Sequence, residues 1–241
     1  MHSSDFDNNI ERIKVSIEKS KFKMTALALF RFYEKIDNIK SALDKFDLKE
    51  EIYSGNILFR SLLEHLIISY YIWYKFMLNK NDECAREYYT EYLIHEFFKQ
   101  EGYKQKLQKI KTKNYNNIDG LGYIKNSFPI LNEISETQYQ EINKKGNQFQ
   151  IDRIFDYLIN EKPLGEQRKV LHEYMLDFLD TYNVLSSFVH GGPYAEDVAF
   201  ESKKELLNDA PKKWAESALN TIQTNILFFL CEEDTSYLSI L

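Results

Sequence analysis

Glycine and proline are scarce in this chain. Gly 8 and Pro 4 together make about 5% of the 241 residues, against roughly 12% in average usage. Residues that favour strands are thin as well, with five valines and eight threonines. Sandwiches and barrels need Gly/Pro-rich turns between β-branched strands, so an all-β fold is excluded. No Val/Ile-rich strand runs into a glycine-rich turn, which argues equally against a doubly wound α/β fold. Cysteine is limited to Cys84 and Cys231, too few for a disulfide framework and without metal-ligand spacing. No stretch of about eighteen residues is free of charge, so no membrane-spanning helix is expected. The opening MHSSDFDNNIERIK lacks the apolar core of a signal peptide, and a reducing, cytoplasmic compartment is the expectation. Thirty-one basic against 37 acidic residues leave a net charge of −6. That balance argues against a surface coated with nucleic acid but leaves room for a local basic patch.

What is present is helical periodicity around a sizeable apolar fraction, 44% of the chain. The pattern predicts an all-α fold: a single helical bundle with a long central buried helix, occupying residues 1–241 as one domain. Helices are expected at about 4–20, 22–46, 48–79 and 81–100, the last opened by Asn81-Asp82 as N-cap candidates. Residues 101–125, polar and rich in asparagine, predict a loop or break. Short helices about 127–143 and 150–160 and a long one about 166–190 follow. The stretch of about 101–165 thus forms a peripheral insertion. Gly191-Gly192-Pro193 should stop the long helix, with glycine at its C-cap and proline beyond. A last helix is expected over about 202–231, with Pro211 near its start or at a kink.

The third helix carries the most information. From Ile57 to Leu78 it reads ILFRSLLEHLIISYYIWYKFML, apolar on every face, as the centre of a bundle requires. Arg60 and Glu64 interrupt it at i, i+4, within pairing reach of one another. Charges in such a helix must pair or meet a wet cavity, because unpaired burial is costly. They form either a structural ion pair that fixes packing or a charged pocket. The helix before Gly191 offers a second candidate region. Leu171, Tyr174, Met175, Phe178, Tyr182, Leu185 and Val189 fall within an arc of about 100° and form its expected core stripe. His190 projects from the flank in the last turn, where an imidazolium would favour the helix dipole. Alternatively Ser187 and His190, one turn apart at a glycine-terminated end, line a site open to a substrate.

Arg60-Ser-Leu-Leu-Glu64 in an apolar helix, followed by Tyr182-x-x-Leu-Ser-Ser-Phe-Val-His190-Gly191, resembles a family of uncharacterised all-helical bacterial proteins. Its members share an R-x-x-x-E helix and a later L-S-x-x-V-H-G helix end. These are similar in turn to HEPN-like bundles, many of which are ribonucleases in toxin–antitoxin, CRISPR and phage-defence systems. The matched positions are Arg60, Glu64, Tyr182, Ser186 or Ser187, His190 and Gly191. The resemblance implies a metal-independent ribonuclease or a defence effector, a homodimer with its cleft between subunits, and an antitoxin or defence-system partner protein. The HEPN signature sets an Arg and a later His with four to six residues between them. Arg60 and His65 satisfy the count, although five residues of helix turn their side chains about 140° apart. No Arg stands at the matching distance before His190. A composite site would therefore draw on Arg60, Glu64 and His190 across two helices, with Arg60 as phosphate clamp and His190 as base or acid.

RNA is the implied substrate, and a basic segment from Lys99 to Tyr115 fits it. Lys99, Lys106 and Lys113 share a helical face, with Tyr103 and Tyr115 available to stack on bases. A solvated surface helix explains the same pattern. Glu91 and His95 at i, i+4 make half a metal site without a second half, so no metal is expected. No phosphate-binding or dinucleotide glycine loop and no nucleophile elbow occurs, and no cofactor is expected. The competing reading is a non-catalytic helical module that binds a partner protein or a nucleotide-like ligand around Arg60, Glu64 and His190.

Overall fold

The computed structural model describes residues 3–48, 50–113, 133–160, 167–202, 210–231 and Tyr237. Among the described residues there are helices and no strand, so the fold is all-α. In chain order the helices are α1 (Ser3–Asn8), α2 (Ile10–Lys19), α3 (Lys23–Leu43), α4 (Ile52–Asn79) and α5 (Glu83–Glu87). A single π turn (Tyr88–Tyr92) leads into α6 (Leu93–Thr112), then α7 (Glu136–Asn147), α8 (Ile151–Asn160), α9 (Gln167–His190), α10 (Pro193–Ser202) and α11 (Ala210–Cys231). Among the described residues no helix is long and apolar enough to cross a membrane. The expected helix beginning near 127 starts outside the described residues, and Tyr115 lies outside them too.

The chain divides into two compact units, residues 83–153 forming one and residues 1–82 with 154–241 the other. In the larger unit α4 packs against α3, α9 and α11, and α3 packs against α11. Leu29, Phe32 and Ile36 of α3, Leu62, Leu63 and Ile72 of α4, and Ile226 and Leu227 of α11 are fully buried. Phe22, Phe76 and Phe229 close one end of this core, with ring centroids 5.0–6.0 Å apart. Lys75 avoids the cost of burial by laying its ammonium 3.8 Å from the Tyr157 ring of α8, a cation–π contact.

Local chemistry explains where the segments depart from expectation. The first helix is interrupted at Asn9, a turn between α1 and α2. Asp82, expected to cap the helix that follows it, turns its carboxylate to the start of α3. There it accepts from the Met24 and Thr25 backbone N–H groups (3.1 and 2.9 Å) and from the Thr25 hydroxyl (2.7 Å). Residues 101–112 continue α6 instead of forming a break. Their charged residues are good helix formers, and Gly102 sits in open space, where one glycine costs a helix only about 1 kcal/mol. Gly191 ends α9 in the left-handed region (φ +61°), its N–H bonded to the Ser187 carbonyl at 3.0 Å. Pro193 then opens α10 at its first position, where a missing N–H costs nothing.

In the smaller unit Phe98 packs with Ile94, Ile134, Tyr139 and Ile142. A capping box of Ser135 and Gln138 starts α7. A Cβ on Gly146 would lie 2.5 Å from the His95 Cβ, so glycine lets α7 approach α6 this closely. His95 Nδ1 bonds Asn143 Oδ1 at 2.9 Å, and Glu91 accepts from Thr90. Among the described residues no three acidic, His or Cys side chains gather as a metal site would need.

His65 records how dry the larger core is. Its ring lies 5.9 Å from Phe32, and its Nδ1 is buried with no hydrogen-bond partner among the described residues. Burial, helped by the charge of Lys35, pushes its pKa down to about 4. An unfolded histidine titrates near 6.5. Between these values the unfolded chain binds a proton that the folded one refuses, so stability falls as pH drops from about 6.5 to about 4. Urea unfolding at pH 7 and pH 4.5 should show the wild type losing about 2 kcal/mol more than His65→Leu. Equal losses in both proteins would contradict the buried neutral imidazole.

Candidate functional site

Two helices build the candidate site. Arg60 and Glu64 stand one turn apart on α4, and Tyr182, Ser186 and His190 stand one turn apart on α9. The i, i+4 spacing puts each set in a row, and the two helices pack against each other. Arg60 meets Ser186 while Glu64 meets Tyr182, so the rows run in opposite directions and the start of α4 lies beside the end of α9.

The contacts form a closed network. Arg60 Nη2 is 2.9 Å from Glu64 Oε1 and donates to the Tyr182 hydroxyl at 2.9 Å. That hydroxyl donates in turn to Glu64 Oε1 at 2.8 Å. Arg60 Nε donates to Ser186 Oγ at 3.2 Å, and Ser186 Oγ donates to the Tyr182 carbonyl at 2.9 Å. The guanidinium carbon lies 5.1 Å from the Tyr182 ring centroid, adding a cation–π contact. Burial, followed by the Glu64 charge, holds the Tyr182 phenol up to about 12. It therefore stays protonated and a donor at neutral pH. The guanidinium is thus held through Nε and Nη2 by three side chains of the two helices.

Of the residues singled out in sequence, Arg60, Glu64 and Tyr182 come together. Serine 186 rather than Ser187 meets Arg60; the Ser187 hydroxyl donates to the Val184 carbonyl within its own helix at 2.6 Å. His190 is exposed at the end of α9, one turn or about 6 Å along the axis beyond Ser186. His65 packs toward α3 through Phe32, as its angular separation from Arg60 requires. The expected core stripe on α9 is rotated: Phe178, Leu185 and Phe188 are buried, Tyr182 is half-buried and Val189 is exposed. The side chains of Leu171, Tyr174 and Met175 lie outside those described. Lys106 and Lys113 belong to the smaller unit and are exposed on and just after α6, with Lys106 Nζ 5.4 Å from the Tyr103 ring.

Tyr53 is the residue that sequence reasoning missed. From the first turn of α4 it donates a hydrogen bond to the Phe188 carbonyl and packs its ring 5.6 Å from that of Phe188. A Cβ on Gly191 would lie 3.2 Å from its hydroxyl. Tyr53 thus pins the helix end that carries His190. Its only signal in the sequence is a tyrosine two turns before Arg60, which nothing distinguishes from the other sixteen. Comparison with protein-family models, curated proteins and solved structures finds no match.

The Arg60 and Glu64 side chains are 19% and 27% exposed, between the surface case and full burial. Breaking a buried pair costs about 3–5 kcal/mol and an exposed one about 0–1. Glu64→Ala should therefore destabilise by about 1–3 kcal/mol in denaturant unfolding. An unchanged midpoint would mean that Tyr182 and Ser186 satisfy Arg60 without the carboxylate.

Proposed function

We propose that this chain is an RNA-cleaving effector of HEPN-like type that works without a metal, acting in bacterial phage defence or a toxin–antitoxin stress response. The observation that carries the reading is the α9 row: two of its side chains hold a partly buried guanidinium, and the third, one turn on, is an exposed imidazole. A metal-free ribonuclease needs a proton acceptor, a proton donor and fixed positive charge for the pentavalent intermediate. In this reading the base takes the 2′-hydroxyl proton, the 2′-oxygen attacks the adjacent phosphorus, and the 5′-oxygen leaves with a proton from the acid. The products are a 2′,3′-cyclic phosphate and a 5′-hydroxyl. His190 of one subunit serves as base or acid, and Arg60, oriented by Glu64, Tyr182 and Ser186, clamps the phosphate. A homodimer about a two-fold axis would present two such rows, and the second imidazole would fill the complementary proton-transfer role. Exposed Lys99, Lys106 and Lys113 add charge that neutralises RNA phosphates, with Tyr103 as a stacking surface. An antitoxin or other defence protein is the partner this role calls for.

The test is cleavage of total RNA by the purified protein in EDTA. Wild type should cleave, and His190→Ala and Arg60→Ala should each lose about a hundredfold or more. His190 is exposed, so its variant should keep the wild-type melting temperature; Arg60→Lys supplies a charge-preserving control should Arg60→Ala unfold. Loss of cleavage in EDTA, or equal cleavage by all variants, would overturn the mechanism.

A further inference from the structure

The second half of α6 carries its apolar residues on the outside. Tyr103, Leu107 and Ile110 are 68%, 56% and 64% exposed. They recur at i, i+4 and i+7, so their side chains fall within an arc of about 60°. The side of α6 that packs on the rest of the smaller unit is the opposite one, where Phe98 and Glu101 are buried and Gln105 and Lys109 are half-buried. The packing of the unit itself therefore makes no use of this stripe. Large apolar side chains set in a row, rather than scattered singly, mark an interaction surface.

The spacing of Tyr103, Leu107 and Ile110 is the d, a, d alternation of a heptad. In that register Gln100 holds the preceding a position. Lys104 and Lys111 hold the e positions, and Lys99, Lys106 and Lys113 hold the g positions. Every position that flanks the seam between Lys99 and Lys113 is thus a lysine, in a chain whose net charge is −6. Residues 102–113 contain no acidic residue at all. Only Lys104 reaches back to a buried carboxylate, that of Glu101 in its own helix.

We propose that this seam pairs with a helix of a partner protein, one that carries apolar residues at a and d and Glu or Asp at e and g. Charge selects the partner. A second copy of this chain would set lysine against lysine in either orientation, because e and g positions face one another across a coiled coil. An acidic helix turns each of those repulsions into an ion pair. Width selects the class. A helix that lies in a lipid surface needs a broad apolar face, whereas an arc of about 60° is the narrow seam of a coiled coil. RNA phosphates would satisfy the lysines and leave Leu107 and Ile110 in water. The seam runs for about 20 Å of helix, two heptads, which suits a reversible contact. Lys99, Lys106 and Lys113 are also the charges that the RNA reading draws on, so a seated helix would compete with RNA for them. That competition rests on the RNA reading; the docking itself does not.

The test titrates the full chain into a fluorescent three-heptad peptide with Leu at a and d and Glu at e and g, read by anisotropy. A peptide of the same composition in scrambled order is the control. Wild type should bind the heptad peptide saturably and the scrambled one about tenfold more weakly or worse. The double variant Leu107→Ser/Ile110→Ser, at two exposed positions, should keep the wild-type melting temperature and lose about tenfold or more in affinity. The triple variant Lys106→Glu/Lys111→Glu/Lys113→Glu, which spares the Lys104–Glu101 pair, should release the Glu peptide and take up its counterpart with Lys at e and g. Failure of wild type to bind the heptad peptide would overturn the proposal. Equal binding of both peptides, or binding indifferent to Leu107→Ser/Ile110→Ser, would mean charge attraction alone and overturn it equally. A wild-type dimer that Leu107→Ser/Ile110→Ser dissociates in sedimentation would assign the seam to a second copy instead. Should equimolar phosphatidylserine–phosphatidylcholine vesicles or polyuridylate bind through Leu107 and Ile110 where the peptide does not, the occupant would be lipid or RNA, against the proposal. Peptide binding by a protein that cleaves no RNA would uphold the docking surface and remove only the competition.

Discussion

A guanidinium in the middle of an apolar helix has to be satisfied, and the way Arg60 is satisfied governs how α9 lies on α4. Its own helix offers only Glu64, one turn away, and a carboxylate alone leaves several of the five N–H donors unmet. Tyr182 and Ser186 supply the remaining oxygens, and they can do so only if α9 presents that row to α4 in the antiparallel sense. At the other end of the contact Tyr53 bonds the Phe188 carbonyl. Two polar anchors about two turns apart thus fix both register and rotation, which apolar packing alone specifies weakly. The network is expensive to half-satisfy, so its completeness carries the same weight as its presence.

The Arg60–Glu64 pair lies between a buried and an exposed ion pair. A fully buried ion pair would be inert scaffold, and a fully exposed one would be too loosely held to aim a guanidinium. Arg60 sits between these limits and is held by the α9 row. The core-facing side of α4 is closed. Its Leu62, Leu63 and Ile72 are sealed, His65 is kept neutral, and Lys75 is covered by aromatic rings. Arg60, His65 and Lys75 are thus accounted for by partners, by a proton lost and by aromatic rings.

The legible parts of this protein were those written in composition and period. Scarce glycine, proline and valine excluded sheets, and the all-round apolar run of α4 marked a central helix. The i, i+4 pairing of Arg60 with Glu64 follows from spacing alone. Rotation was harder to read. On α9 the apolar residues spread over a wide arc, so the stripe could be drawn through Val189 when the buried face runs through Phe188. Ser186 rather than Ser187 partners Arg60 because it stands one turn beyond Tyr182 in the same row. Contacts between distant segments were invisible: the Asp82 cap on α3 and the Tyr53 clamp on α9 depend on tertiary geometry that no local pattern encodes. The continuation of α6 past Gln100 was missed because a lysine-rich helix with few apolar residues has no period to detect.

The claim that Arg60 and Tyr182 act as one unit is tested most directly by a double-mutant cycle on stability. Arg60→Ala, Tyr182→Phe and the double variant would be unfolded in urea beside the wild type. The coupling energy should be about 1–2 kcal/mol, as for groups that share one hydrogen-bond network. Independent sites add to within about 0.5 kcal/mol, and additive losses here would contradict the account, because the hydroxyl and the guanidinium would then not be holding the two helices together.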